Sequence, residues 1–150
     1  MFLTLANEEE AECYLTFRPH LINVFNYLSN DFALFLYTAE NEILTEELAY
    51  YIETLTDIRF RCVLNNNFLL DDQHMLRNHL VVEKLAGKNN KDYFFVGSEI
   101  AAFKGIEERC IPICKFFGNL DDDALYMFED YVRERELGKA CIEGKIKEVI

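Results

Sequence analysis

Cysteine and histidine are the residue types that most often carry nucleophilic catalysis or bind metals, and the chain has five cysteines and three histidines. His74 and His79 are five residues apart, so on one helix they would not share the face that a metal-binding pair needs. Cys110 and Cys114 would lie too far apart on a strand to share a zinc ion or a disulfide. We expect reduced thiols and no metal site, although a Cys–His pair could still meet in space.

Short catalytic motifs are missing from the sequence. It contains no Gly-x-Ser-x-Gly elbow, no Walker-type loop and no Gly-x-Gly-x-x-Gly. The sequence therefore predicts no catalytic residue, no cofactor and no enzymatic activity.

Acidic residues form the sharpest clusters in the sequence. Residues 121–123 are three consecutive aspartates before a helical pattern, where one aspartate can cap the helix and the others favour its dipole. The same cluster could contact a basic partner or, less simply, bind a divalent cation. Its spacing is not that of a calcium loop.

A second acidic segment, residues 40–57, contains no Lys or Arg. Its pattern predicts a helix with Leu48, Ile52 and Leu55 on the buried face and Thr45 as a possible cap. Glu42 and Glu46 are a like-charge i, i+4 pair, which costs a few tenths of a kcal/mol, about 0.2–0.5. An acidic face is usually only a solvated surface, but the lack of compensating bases also suggests a partner.

Net charge is unevenly distributed along the chain. The formal total is −12, and residues 1–57 alone carry −10 because Arg18 is their only base. A field of this sign repels nucleic-acid phosphates and anionic membranes and attracts basic proteins. We therefore expect no nucleic-acid partner and no membrane partner.

The remaining patterns predict a single α+β domain over residues 1–150, or an α/β domain, in which about four strands form a mixed sheet with four to five helices. The strand–helix–strand order around residues 32–64 is typical of a βαβ unit but would also fit antiparallel strands. Pro112 confines its strand to a sheet edge or a bulge. Strands are predicted at 32–38, 58–64, 93–103 and 109–117, and helices at 7–17, 21–28, 40–57, 71–87 and 119–136, with a looser one at 138–150.

The function that we predict from these features is a non-enzymatic, cytoplasmic binding protein that captures a basic protein through an acidic, aromatic-bearing surface. Its most concrete form is an immunity-type inhibitor of a toxin such as a nuclease. Carboxylates of the inhibitor would then occupy the nucleic-acid cleft of the nuclease in place of phosphates. The alternatives are a small acidic chaperone or adaptor for a secreted protein, and a small enzyme with a Cys/His or carboxylate site. The predicted partner-binding residues are Glu42, Glu46, Glu47, Tyr50, Glu53, Asp121, Asp122, Asp123, Tyr126, Glu129 and Asp130.

The cytoplasmic prediction depends on the lack of export and membrane signals in this sequence. The first ten residues have no basic segment before their apolar stretch, and no apolar run approaches the ~20 residues that span a bilayer. The odd number of cysteines also argues against a disulfide framework.

Overall fold

A computed structural model describes residues 2–4, 12–71, 76–86, 93–98, 106–134 and 148–149. Its strands are β1 (Phe2–Thr4), β2 (Glu12–Tyr14), β3 (Ala33–Tyr37), β4 (Cys62–Leu64), β5 (Leu69–Asp71), β6 (Leu76–Arg77), β7 (Tyr93–Gly97), β8 (Cys110–Pro112) and β9 (Glu148–Val149). Its helices are α1 (Leu21–Leu28), α2 (Glu42–Leu55), α3 (His79–Ala86) and α4 (Ala124–Glu134).

The largest sheet has five strands in the order β4-β3-β9-β7-β8, and each recorded pair is parallel. β1 pairs with β2, and β5 pairs with β6, as two separate antiparallel ladders. The predicted α+β class is confirmed. The βαβ unit is confirmed in its parallel form, because β3 and β4 pair in parallel and α2 connects them.

Two apolar cores cover opposite faces of this sheet, as the alternation of side chains along a strand requires. Leu34 and Phe94 face the first core, which includes residues of α1, α2 and α4. Phe95 faces the second core, which includes Val82 of α3. Helices on both faces explain why β3 and β7 are nearly continuous apolar runs.

The α1 stripe and the edge position of Pro112 agree with the sequence. Val24 and Leu28 are fully buried in the first core, and Leu21 and Phe25 pack against it. β8, which contains Pro112, is the last strand of the five-stranded sheet.

Several element boundaries were predicted wrongly. Residues 12–14 form a strand rather than a helix, and the proposed cap at Asn7 lies outside the described residues. The 71–87 helix begins only at His79, because Leu69 pairs with Arg77 in the β5–β6 ladder. Residues 148–149 form β9 rather than part of a helix. Within the described ranges, no helix is both long and apolar enough to cross a membrane.

Candidate functional site

The carboxyl ends of parallel strands meet at one edge of a sheet, and ligands of open α/β sheets bind at that edge. We call this edge, together with the residues that follow each strand, the carboxyl edge. Its described members directly after β3, β4, β7 and β8 are Thr38, Asn65, Ser98 and Ile113. They are neutral, and the first three offer hydroxyl or amide groups rather than carboxylates.

Thr38 is held in place by a hydroxyl network. Its Oγ1 lies 2.6 Å from Oγ1 of Thr45, and it accepts a 3.2 Å hydrogen bond from the backbone N–H of Glu40. The Thr45 hydroxyl donates to the backbone oxygen of Asn41 at 2.7 Å, so the Thr38 hydroxyl is the donor to Thr45. Thr45 is only 1% exposed. It was predicted to cap α2, but it is a buried residue one turn inside the helix.

The cap of α2 is Asn41, whose side-chain oxygen accepts a 2.9 Å hydrogen bond from the N–H of Leu44. The loop that precedes this cap is joined to the loop after β4, because the N–H of Asn66 donates to the backbone oxygen of Glu40 at 2.9 Å. The α2 amino terminus is thereby fixed at the carboxyl edge. A helix amino terminus carries partial positive charge.

An apolar cavity of about 280 Å³ lies beside this edge. Leu36 and Tyr37 from the end of β3, Val96 from β7 and Ile113 after β8 line it together with Arg18. Arg18 is the one charged residue of this lining. It lies in the segment before α1, so a cation from outside the sheet lines the same cavity as residues at the ends of β3 and β7.

Arg18 makes a two-pronged ion pair with Asp122. Its Nε donates at 2.5 Å and its Nη2 at 2.8 Å to the two carboxylate oxygens. The Arg18 side chain is 9% exposed, and its guanidinium also lies over the ring of Phe116. These hydrogen bonds from Arg18 lower the pKa of Asp122 below its ordinary value. The pair therefore orients the guanidinium beside the cavity.

The described residues do not bring together three His, Cys, Asp or Glu side chains in a group that could hold a metal ion. Cys62, Cys110 and Cys114 are free thiols, and Cys114 is exposed rather than part of the core.

The predicted acidic residues of α2 lie mainly on its outer side. Glu42, Glu46 and Tyr50 are exposed, and Glu47 is half-buried. Glu53 differs, because one of its carboxylate oxygens accepts a 2.7 Å hydrogen bond from the N–H of Phe60. Its carboxylate is therefore committed to the fold.

The predicted residues around α4 divide in the same way. Asp122 is paired with Arg18, and Glu129 accepts hydrogen bonds of 2.6 and 3.0 Å from Arg133. The other predicted residues in this region are exposed: Asp121, Asp123, Tyr126 and Asp130. The partner-binding surface stays a prediction, with the paired carboxylates less available than their neighbours.

The model of the NLI interacting factor-like phosphatase family matches residues 1–140. The chain belongs to this family. No curated protein matches the chain.

Membership of a phosphatase family corrects the functional prediction. The sequence was interpreted as a non-enzymatic immunity-type inhibitor of a toxin, and that interpretation is wrong, because the family is one of phosphatases. The prediction that the chain is not an enzyme is wrong for the same reason. Net charge does not distinguish the two functions, since an acidic surface is as compatible with an enzyme as with an inhibitor.

Sequence reasoning missed the carboxyl edge. In the sequence, Arg18 stands out only as the one base of the first 57 residues, which also contain eleven acidic residues. Thr38 ends a predicted apolar strand, and Asn65 begins a predicted loop. The available signal was their position, because Thr38 ends one predicted strand of a βαβ unit and Asn65 directly follows the other, where parallel sheets place their ligands.

Proposed function

We propose that this protein is a phosphatase that hydrolyses phosphomonoesters at the carboxyl edge of its parallel sheet. The observation that carries the proposal is the family match over residues 1–140. In this reaction water takes up the phosphoryl group, the phosphorus–oxygen bond to the organic group breaks, and an alcohol and inorganic phosphate leave.

Arg18 is the described residue best suited to bind the phosphoryl group. A guanidinium has five N–H donors in a planar fork, and Asp122 accepts from only two of its nitrogens. The ion pair with Asp122 fixes the direction of the fork before substrate arrives. A charged group that is already oriented stabilises a developing negative charge with little reorganisation.

Thr38 and the amino terminus of α2 support the same location. The Thr38 hydroxyl stands at the end of β3, and the Thr45 hydroxyl and the Glu40 N–H hold it there. Backbone N–H groups at a helix amino terminus are good partners for phosphate oxygens. The apolar walls of the neighbouring cavity would receive the organic part of the substrate.

The experiment is a phosphate-release assay on the purified full chain with p-nitrophenyl phosphate and with a phosphoserine peptide, each with and without Mg²⁺. We expect release of phosphate well above a mock preparation. Failure to release phosphate from either substrate in either condition would contradict the proposal. Dependence on Mg²⁺ would identify metal-assisted hydrolysis.

Arg18→Lys tests the location of the site, because lysine keeps the charge but loses the fork. We expect kcat/KM to fall by about a hundredfold, the typical effect of losing one preorganised donor. Arg133→Lys is the matched control, since Arg133 also makes two hydrogen bonds to a carboxylate but does so on α4, with Glu129. Equal losses in the two variants would place the chemistry elsewhere. Circular dichroism checks that both variants are folded.

A further inference from the structure

A groove runs between β8 and α4, next to the cavity of the proposed phosphatase site, with which it shares Ile113 and Phe128. It encloses about 350 Å³, which falls within the range of about 300–1,000 Å³ typical of ligand sites. Ile111, Pro112 and Ile113 line its strand side. Met127 and Tyr131 are among the residues that line its helix side.

The helix side of the groove presents apolar surface to solvent. Phe128 is buried at its base, but Met127 is 62% exposed and Tyr131 is 38% exposed. Phe117 and Leu120, in the segment that leads from β8 to α4, are each 84% exposed. Exposed methionine and aromatic side chains beside an apolar groove are typical of protein-binding surfaces.

The rim of the groove is acidic on its helix side. Asp123, Asp130 and Glu134 follow the same helical face as Met127, at spacings of four, three and four residues. All three are exposed. The ion pairs recorded among the described residues, such as Arg18–Asp122, Arg59–Glu53 and Arg133–Glu129, do not include them. The charges of Asp123 and Glu134 are therefore available to a ligand, whereas Asp130 also interacts electrostatically with Arg133.

The negative charge of the rim favours a basic ligand over a second copy of the chain. A second copy of the chain would bring an identical acidic rim and a net charge of −12 against the first, so self-association through the groove is opposed by repulsion. A basic segment gains attraction to the rim and can bury an apolar side chain in the groove.

We propose that the β8–α4 groove binds a basic peptide segment of a partner protein, with an apolar side chain in the groove and flanking Lys or Arg side chains on the acidic rim. The proposal does not depend on phosphatase activity, because the groove does not use Arg18 or Thr38. A basic partner held here would be recognised separately from the group that is hydrolysed.

The test is a fluorescence-polarisation titration of the full chain with a labelled peptide that carries two leucines flanked by lysines. We expect saturable binding that weakens with added salt. The same peptide with Glu in place of Lys, and the same peptide with Ser in place of Leu, should bind at least about tenfold more weakly. No binding of the first peptide, or equal binding of all three, would overturn the proposal.

Variants of the protein locate the binding site. The double variant Asp130→Lys/Glu134→Lys should weaken binding by about tenfold or more, because attraction becomes repulsion. The double variant Glu42→Lys/Glu46→Lys makes the same charge change on α2 and is the matched control. Equal weakening by the two double variants would show that the peptide is attracted non-specifically to negative charge, and it would refute binding in the groove.

Met127→Ser tests the apolar contact without changing charge. We expect this variant to weaken binding about threefold, since only part of the groove is lost. Sedimentation of the wild type and of Met127→Ser adds a further test, because a wild-type dimer that the variant dissociates would assign the groove to a second copy. Thermal unfolding followed by circular dichroism shows whether each variant is folded.

Discussion

Arg18 and Asp122, which are 104 residues apart in sequence, form two hydrogen bonds that join the segment before α1 to the segment before α4. Both side chains are largely shielded from solvent. α1 and α4 also contact each other, so the pair fixes one end of a helix–helix packing. The same guanidinium lines the cavity at the carboxyl edge. Stability and the proposed activity therefore depend on one interaction.

The first prediction concerns the pH dependence of this pair. Arg18 lowers the pKa of Asp122 in the folded state, so the pair contributes fully above the unfolded pKa of about 3.9 and is lost as the pH falls below it. Asp122→Asn should be less stable than wild type above pH 5, and this difference should shrink below about pH 4. Urea unfolding of both proteins from pH 3 to 7 measures it. A difference that is independent of pH would contradict the pairing.

The second prediction concerns the buried hydroxyl of Thr45. Thr45→Val keeps the shape of the side chain but removes its hydrogen bonds to Thr38 and to the backbone of Asn41, which should cost about 1–3 kcal/mol. Thr54→Val is the control, because its hydroxyl bonds the backbone of Tyr50 on the exposed side of α2, and it should change stability by less than about 0.5 kcal/mol. Urea unfolding distinguishes the two. Equal effects would argue against a special role for Thr45.

The third prediction compares two phenylalanines. Phe95 is 1% exposed in the second core, so Phe95→Ala should lower the free energy of unfolding by about 3–5 kcal/mol. Phe117 is 84% exposed, and Phe117→Ala should change it by less than about 0.5 kcal/mol. Denaturant titrations of both variants test the assignment of the core. A large loss for Phe117→Ala would mean that this side chain is buried in solution.

The fourth prediction concerns alkaline pH. Burial, together with the 2.6 Å hydrogen bond that the Tyr93 hydroxyl donates to Glu83, raises the pKa of Tyr93 well above its ordinary value near 10. Its stabilising contribution is present below about pH 10 and is lost as the pH rises towards the folded pKa. Tyr93→Phe should remove this alkaline loss. Unfolding measurements from pH 8 to 11, with Tyr50→Phe as an exposed control, provide the comparison.

Periodicity predicted the parts of the fold in which burial dominates. The stripe of α1 and the run of β3 were placed correctly, because apolar side chains there have only one favourable environment. The start of α3 was predicted wrongly. Arg77 lies in a segment with a helical pattern, but it pairs with Leu69 in the β5–β6 ladder. The helical pattern of residues 71–87 does not report a pairing partner that lies outside that segment.

The candidate site was harder to predict than the fold. Arg18 and Asp122 meet only through the packing of two helices, and no local pattern links them. The acidic segments were visible in the sequence, but their internal pairing was not. Glu129 is bound by Arg133, and Glu53 by the backbone of Phe60, so neither behaves as the free surface charge that composition alone suggests.

The Tyr37 hydroxyl has a further consequence, because it joins the end of β3 to both sides of the neighbouring ladder. It donates to the backbone oxygen of Phe68 at 2.6 Å and accepts from the backbone N–H of Asn78 at 2.8 Å. One phenol oxygen therefore links the residue before β5 to the residue after β6. Deuterium uptake at the Asn78 amide measures how often its hydrogen bond opens. Tyr37→Phe should accelerate uptake at this amide and leave uptake by amides in the middle of α2 unchanged.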